Sequence, residues 1–341
     1  AIVTDPRTGE ILAMASKPDF DLNDPFGVPE GISDEEWANM TQDERMNILY
    51  GKIWRNKAVV DTYEPGSTFK AITAAAAIEE GIVTPDTPVN DYPVTVQGHK
   101  INCWRSYNLH GEETFREGVY NSCNPVFVRA AQAMGISTFY KYVKAFGFRD
   151  KTGVEIVGEA GSIFHEKPTE VDMATASFGQ RFQITPLQLI NAYGALANGG
   201  NLMKPLIVKE IRDSEGNIVK KYEPEVVRKV ISKETSEKIR DILEGVVSTG
   251  TGKNAYISGY RVAGKTGTSE TTETKKNNRY IASFASFAPA DNPVICVLVV
   301  LDFPTGPFGH QGGVIAAPVA REILEDTLEY LGVEKRYTGK R

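Results

Sequence analysis

The apolar and polar positions sort the chain into segments of different character. Residues 1–15, AIVTDPRTGEILAMA, set two short apolar runs around Asp5-Pro6-Arg7-Thr8-Gly9, which predicts a hairpin. Residues 20–62 are polar and lack a clean period, so an irregular excursion is expected there. In YEPGSTFKAITAAAAIEEG (63–81), Pro65-Gly66 closes an extended segment, the alanine run favours helix and Gly81 ends it. Positions 82–120 read as loop-rich, with short strands such as Val94-Thr95-Val96. Helical spacing returns at 125–134, 137–146, 186–197 and 233–247. Strands are expected at 260–263, 280–288 and 294–301. The final helix, 317–331, would bury Val319, Ile323, Leu324, Leu328 and Leu331 along one side.

Two strands at the start and three near the end predict an α/β fold of the α+β type. One mixed antiparallel sheet would be covered by helices on both faces, with a helical lobe at roughly 70–250 between its two halves. A cleft between sheet and lobe is the natural place for a site.

Composition narrows the class. The chain has 341 residues and a net charge of −6, which argues against nucleic acid as the main partner. Its most apolar run, 293–302, is of strand length and too short to cross a membrane. Ala1 already lies in a predicted strand, so the natural protein is expected to begin further upstream. Three cysteines make no disulfide framework.

Chemistry enters at Ser67 and Lys70, one helical turn apart. A lysine in a first helical turn opposes the helix dipole, so its presence calls for another reason. A serine hydroxyl is a poor nucleophile until a base takes its proton, and an amine kept neutral by burial or a nearby cation is such a base. The pair alone is a weak signal, since a surface helix start would look the same. Asn121-Ser122-Cys123-Asn124-Pro125 adds a Ser-x-Asn before a helix, and Lys265-Thr266-Gly267-Thr268 adds a Lys-Thr-Gly at the end of an apolar strand. Each has a second copy. Ser106-Tyr107-Asn108 has no helix after it, and Lys151-Thr152-Gly153 follows Arg149-Asp150, which cannot end a buried strand.

In this order the three motifs resemble those of penicillin-binding proteins and serine β-lactamases. NKAVVDTYEPGSTFK, FGQRFQITPLQLINAYGALANGG and YIASFASFAPADNPVICVLVV resemble the class B penicillin-binding proteins, although Arg181-Phe182 replaces small residues often found there. The likeness covers nearly the whole chain, 1–341, as one transpeptidase domain. The Cys-Trp, His-Gly and Ser-Cys-Asn-Pro features are most similar to Gram-positive transpeptidases of sporulation, elongation and division.

The resemblance implies that Ser67 is the nucleophile and Lys70 its base, made neutral by burial and by Lys265. It implies that Ser122 relays a proton, Asn124 holds Lys70 and the substrate amide, and Lys265, Thr266 and Thr268 bind a carboxylate while Gly267 lets the strand lie close. The substrate would be a peptidoglycan stem peptide, with β-lactams as mimics and no cofactor needed for the chemistry. A membrane anchor upstream, a missing N-terminal module, a glycan polymerase partner and an extracytoplasmic location are implied as well. The competing functions are a serine β-lactamase, a D,D-carboxypeptidase and a non-catalytic β-lactam sensor. A class A lactamase would need a Glu-x-x-x-Asn between Ser122 and Lys265; HEKPTEVD offers Glu166 and Glu170 without that context. The chain has no Gly-x-Ser-x-Gly elbow of the Ser-His-Asp hydrolases.

Cys103, His110 and Cys123 are of the residue types that hold structural zinc, with His99, Asp91 or water to complete four ligands. The alternative is a buried free thiol at Cys123 and a loop cysteine at Cys103. Cys296, in a core strand, reads as packing. His310-Gln311-Gly312-Gly313 either lines the cleft edge or is a simple loop. Trp104 and Tyr107 either border the cleft or form a small satellite core.

Overall fold

A computed structural model describes residues 1–270 and 279–336. Its centre is an antiparallel sheet of β1 (Ile2–Thr4), β2 (Ile11–Met14), β3 (Ala263–Glu270), β4 (Tyr280–Ala288) and β5 (Ile295–Asp302), in the order β3-β4-β5-β1-β2. The first and last strands meet inside this sheet, where Ile2 pairs with Leu298. The expected hairpin forms, with the Asp5 carboxylate gripping Arg7 across the turn. Gly9 there has φ +78°, and a Cβ on it would lie 2.5 Å from the Lys204 carbonyl.

Both faces are covered. Helix α1 (Lys70–Glu79), α2 (Asn124–Ala145), α3 (Glu170–Ala176), α4 (Pro186–Ala197) and α5 (Lys233–Ser248) belong to the large core that takes in Ile2, Ala285, Phe287, Cys296 and Leu298. α6 (Ala317–Tyr330) closes the other face over Phe284, Val297 and Val299. Every residue of α1 from Lys70 to Ile78 is buried, which an alanine-rich helix allows because its neighbours can approach on all sides. α2 breaks at Gly135 (φ +77°), between the two helices expected from the spacing.

Three expectations change. The strand expected at 260–263 begins at Ala263 and runs on to Glu270, so the Lys-Thr-Gly opens a strand and does not end one. The polar sequence hid this, because its hydroxyls and amine are buried towards the cleft. α6 buries Ala317, Ala320, Leu324 and Leu328, while Val319 and Leu331 are exposed; small alanines let the helix sit close to the sheet and turn its stripe. Residues 20–62 are not wholly irregular. Helices Asp34–Asn39 and Gln42–Ile48 carry Ser33/Glu36 and Thr41/Glu44 capping boxes and pack around a small core of Trp37, Leu49 and Ile53.

Candidate active site

Ser67 lies in a 3-10 turn, Gly66–Phe69, that runs straight into α1 at Lys70. In such a turn residues i and i+3 eclipse, which brings serine and lysine to one side. Three supports hold the turn. The Gly66 amide donates to the Gly179 carbonyl (2.9 Å), the Thr68 hydroxyl to the Pro65 carbonyl (2.7 Å), and the buried Tyr193 hydroxyl to the Thr68 carbonyl (2.7 Å). A side chain at Gly179 would collide with the Gly66 backbone. Sequence reasoning assigned neither Gly179 nor Tyr193 a role, because each acts only through a partner far away in the chain.

The Lys70 amine is fully buried and donates to the Asn124 Oδ1 (2.6 Å), the Ser122 carbonyl (2.7 Å) and the Ser122 hydroxyl (3.2 Å). Ser122 reaches it from a left-handed backbone (φ +56°), an uncommon conformation for a residue with a Cβ. Strained positions of this kind cluster at functional sites. From the other side the Lys265 amine, also fully buried, donates to the same Ser122 hydroxyl at 2.8 Å. Ser122 therefore bridges two amines.

Burial lowers the pKa of Lys70 to about 7, with the nearby thiols of Cys123 and Cys103 pulling the other way. Lys265 is pushed well below its ordinary value, by burial first and then by the charge on Lys70. Of the two causes expected to keep Lys70 neutral, burial is the one that depresses it, while the repulsion between the two amines falls on Lys265. At neutral pH the Lys70 amine is poised to take a proton.

β3 forms the wall opposite Ser122. A Cβ at Gly267 would overlap the Ser283 hydroxyl and lie 2.9 Å from the Pro65 carbonyl, so glycine is what lets the strand abut the Ser67 turn. The Thr266 hydroxyl donates to Thr251 (3.2 Å), and the Gly312 amide donates to the Thr268 hydroxyl (3.1 Å). Of the two readings of the His310–Gly313 loop, Gly312 thus supports the cleft edge. His310 stacks on Tyr280 with ring centroids 3.6 Å apart.

The second motif copies serve other purposes. Tyr107 of Ser106-Tyr107-Asn108 is 83% exposed, so it forms no satellite core. Trp104, also exposed, donates to the Asn121 carbonyl (2.8 Å) and so braces the turn that carries Ser122. Glu166 and Glu170 are both exposed.

The cysteine segment gathers a different set from the one expected. Asp91, Cys103 and His110 bring one ligand atom each to within 4.8 Å of one another; Cys123 and His99 are not in this set. The His110 Nδ1 is 3.0 Å from the Asp91 Oδ2 and 3.8 Å from the Cys103 Sγ. Burial opposes charge on Asp91, but the amides of His110 and Gly111 and the imidazole hold its carboxyl below the usual range. A hydrogen bond from the Cys123 thiol shifts Cys103 towards thiolate, so Cys123 borders the cluster from outside. Cys296 is a fully buried packing residue.

The penicillin binding protein transpeptidase domain model matches residues 1–325. Stage V sporulation protein D of Bacillus subtilis is 42% identical over 98% of this chain and 50% of its own length. The peptidoglycan D,D-transpeptidase FtsI of Escherichia coli K12 is 29% identical over 98% of this chain and 52% of its own. The chain spans about half the length of the curated relatives it matches. Among solved structures, the transpeptidase domain of Burkholderia pseudomallei penicillin-binding protein 3 has a TM-score of 0.78 at 28% identity, covering 98% of this chain and 88% of that one. The D,D-transpeptidase domain of a peptidoglycan glycosyltransferase from Eggerthella lenta has a TM-score of 0.82 at 27% identity, covering 97% and 78%. The chain belongs to the penicillin-binding protein transpeptidase domain family.

Proposed function

We propose that this family member is a serine D,D-transpeptidase that cross-links peptidoglycan stem peptides. The observation that carries the reading is the buried Lys70 amine, depressed to about 7 and hydrogen-bonded to Ser122 and Asn124 one turn from Ser67. The Ser67 Oγ attacks the carbonyl carbon between two D-alanines while Lys70 accepts its proton. Backbone N–H groups of Ser67 and Thr268 hold the oxyanion; losing one such donor typically costs about 3 kcal/mol of transition-state stabilisation. Ser122, between the two amines, passes a proton to the departing amine as the C–N bond breaks. Lys265, Thr266 and Thr268 hold the terminal carboxylate through charge-assisted bonds. An amine of a second stem peptide then attacks the ester, restores the Ser67 hydroxyl and completes the cross-link. A β-lactam follows the first half and stays on the serine.

The exposure of Glu166 and Glu170 disfavours a β-lactamase, which needs a base beside the ester. Placement on the outer face of the membrane is consistent with the family, whose substrate lies there, and the name of the Eggerthella protein supports a glycan polymerase partner. Among the described residues no helix is long and apolar enough to cross a membrane. The test is mass spectrometry after incubation with benzylpenicillin. One lasting adduct on the Ser67 peptide, absent from Ser67→Ala, is expected. Rapid loss of the adduct over many turnovers would make the protein a hydrolase. Cross-linking of a lipid-linked substrate separates an enzyme from a sensor.

The Asp91–Cys103–His110 cluster further reads as a structural zinc site. Its oxygen, sulfur and nitrogen donors suit that ion, and Cys123 lies beside Cys103 as a candidate fourth ligand. About one zinc per chain by elemental analysis, with a melting temperature lowered by a chelator, is expected. A zinc-free protein indifferent to chelator sinks this reading.

A further inference from the structure

The segment 17–56 differs in charge from the rest of the molecule. It holds nine carboxylates against four lysines and arginines, and so accounts for five of the six net negative charges of the chain. It is a folded unit with its own core of Trp37, Leu49 and Ile53. Its surface carries a cluster of rings that the active site does not use. Trp54 is pinned by a bond from its indole N–H to the Pro25 carbonyl (3.0 Å). Phe26 and Tyr50 meet it edge-on at centroid distances of 5.4 and 4.9 Å, and Phe20 lies at 6.3 Å. Phe26 and Tyr50 are 61% and 64% exposed, and nearby Leu22 is 82% exposed. Beside them opens a cavity of about 420 Å³, floored by Leu49 and Ile53 and rimmed by Asp19, Asp21, Asp24 and Glu30.

Exposed apolar patches with a polar rim mark interaction sites, and the sign of the rim selects the partner. We propose that this face docks a basic polypeptide segment, with an apolar side chain anchored in the cavity and lysine or arginine side chains along the acidic rim. Anionic lipid would be repelled by the same rim. A second copy of this chain would bring like charge against like charge. The proposal is independent of the transpeptidase reading.

The test titrates this chain by calorimetry with a peptide of about fifteen residues built from Lys, Ser and two Phe four apart. The same peptide with Phe replaced by Ser, or with Lys replaced by Glu, serves as control. The Lys/Phe peptide is expected to bind at least about tenfold more tightly than either control, a difference of about 1.4 kcal/mol. Phe26→Ser with Tyr50→Ser, and separately Asp21→Asn with Asp24→Asn, are each expected to remove that advantage while benzylpenicillin acylation stays unchanged. Equal binding of the Lys/Phe and Lys/Ser peptides would reduce the effect to general attraction and overturn the proposal. Indifference to the ring substitutions would overturn it too, as would a concentration-dependent dimer that those substitutions abolish.

Discussion

The tripeptide Lys-Thr-Gly occurs twice in this chain, and the two copies have nothing in common beyond their letters. At 265–267 it lies on β3, with the lysine fully buried against Ser122 and the glycine pressed on the Ser67 turn. At 151–153 the lysine is exposed. There the amides of Thr152 and Gly153 and the Thr152 hydroxyl wrap the buried Glu159 carboxylate at 2.6–3.1 Å. One copy gathers partners from three distant segments, at Ser122, Thr251 and Gly312; the other closes a loop on itself. A motif becomes a site through what it is packed against.

Substituting the lysines should sharpen this contrast most. Lys265→Ala should lower the second-order rate of benzylpenicillin acylation by at least about a hundredfold, since a charge-assisted donor to the bound carboxylate and the partner of Ser122 both go. Lys151→Ala should leave that rate unchanged. Stopped-flow acylation measures both, and equal losses would break the comparison.

Next comes pH. With Lys70 lowered to about 7, its neutral base form is lost as pH falls through that value, so the acylation rate should drop about tenfold per pH unit below it and level off above. The same group affects stability with a definite sign. Between about pH 7 and its ordinary value of 10.5, unfolded Lys70 binds a proton that folded Lys70 does not, so this contribution to stability rises with pH across that window. An acylation rate flat from pH 5.5 to 8.5 would remove Lys70 as the base.

The glycines give the smallest effects. Gly267→Ala pushes β3 off the Ser283 hydroxyl and the Pro65 carbonyl and should slow acylation by roughly tenfold, by analogy with other small displacements of catalytic groups. Gly153 has φ +76°, and a Cβ on it would meet only Lys204, at 3.8 Å, so Gly153→Ala should cost only the left-handed strain of about 1 kcal/mol. Thermal melts beside acylation rates separate the two outcomes.

Much of this molecule was legible in advance. The Asp5–Gly9 hairpin, the helix after Pro65-Gly66 and the break near Gly135 follow from turn residues and apolar spacing. So does the proximity of Ser67 and Lys70, because it needs only one helical turn. The Ser33/Glu36 and Thr41/Glu44 caps were equally local, yet the polar composition around them masked two short helices. What escaped was non-local. The polar strand Ala263–Glu270 shows no apolar alternation, because the groups it buries are satisfied by Ser122, Thr251 and Gly312 from elsewhere in the chain. The cysteine segment left Cys123 at its margin for the same reason, and of the completing ligands on offer it took Asp91 rather than His99. By itself the sequence determined which residues could do chemistry and which short stretches would turn or coil, since these depend on neighbours within a few positions. Only the tertiary structure decided which copy of each motif meets the nucleophile and how far each amine is desolvated. Both depend on burial by segments fifty to two hundred residues away.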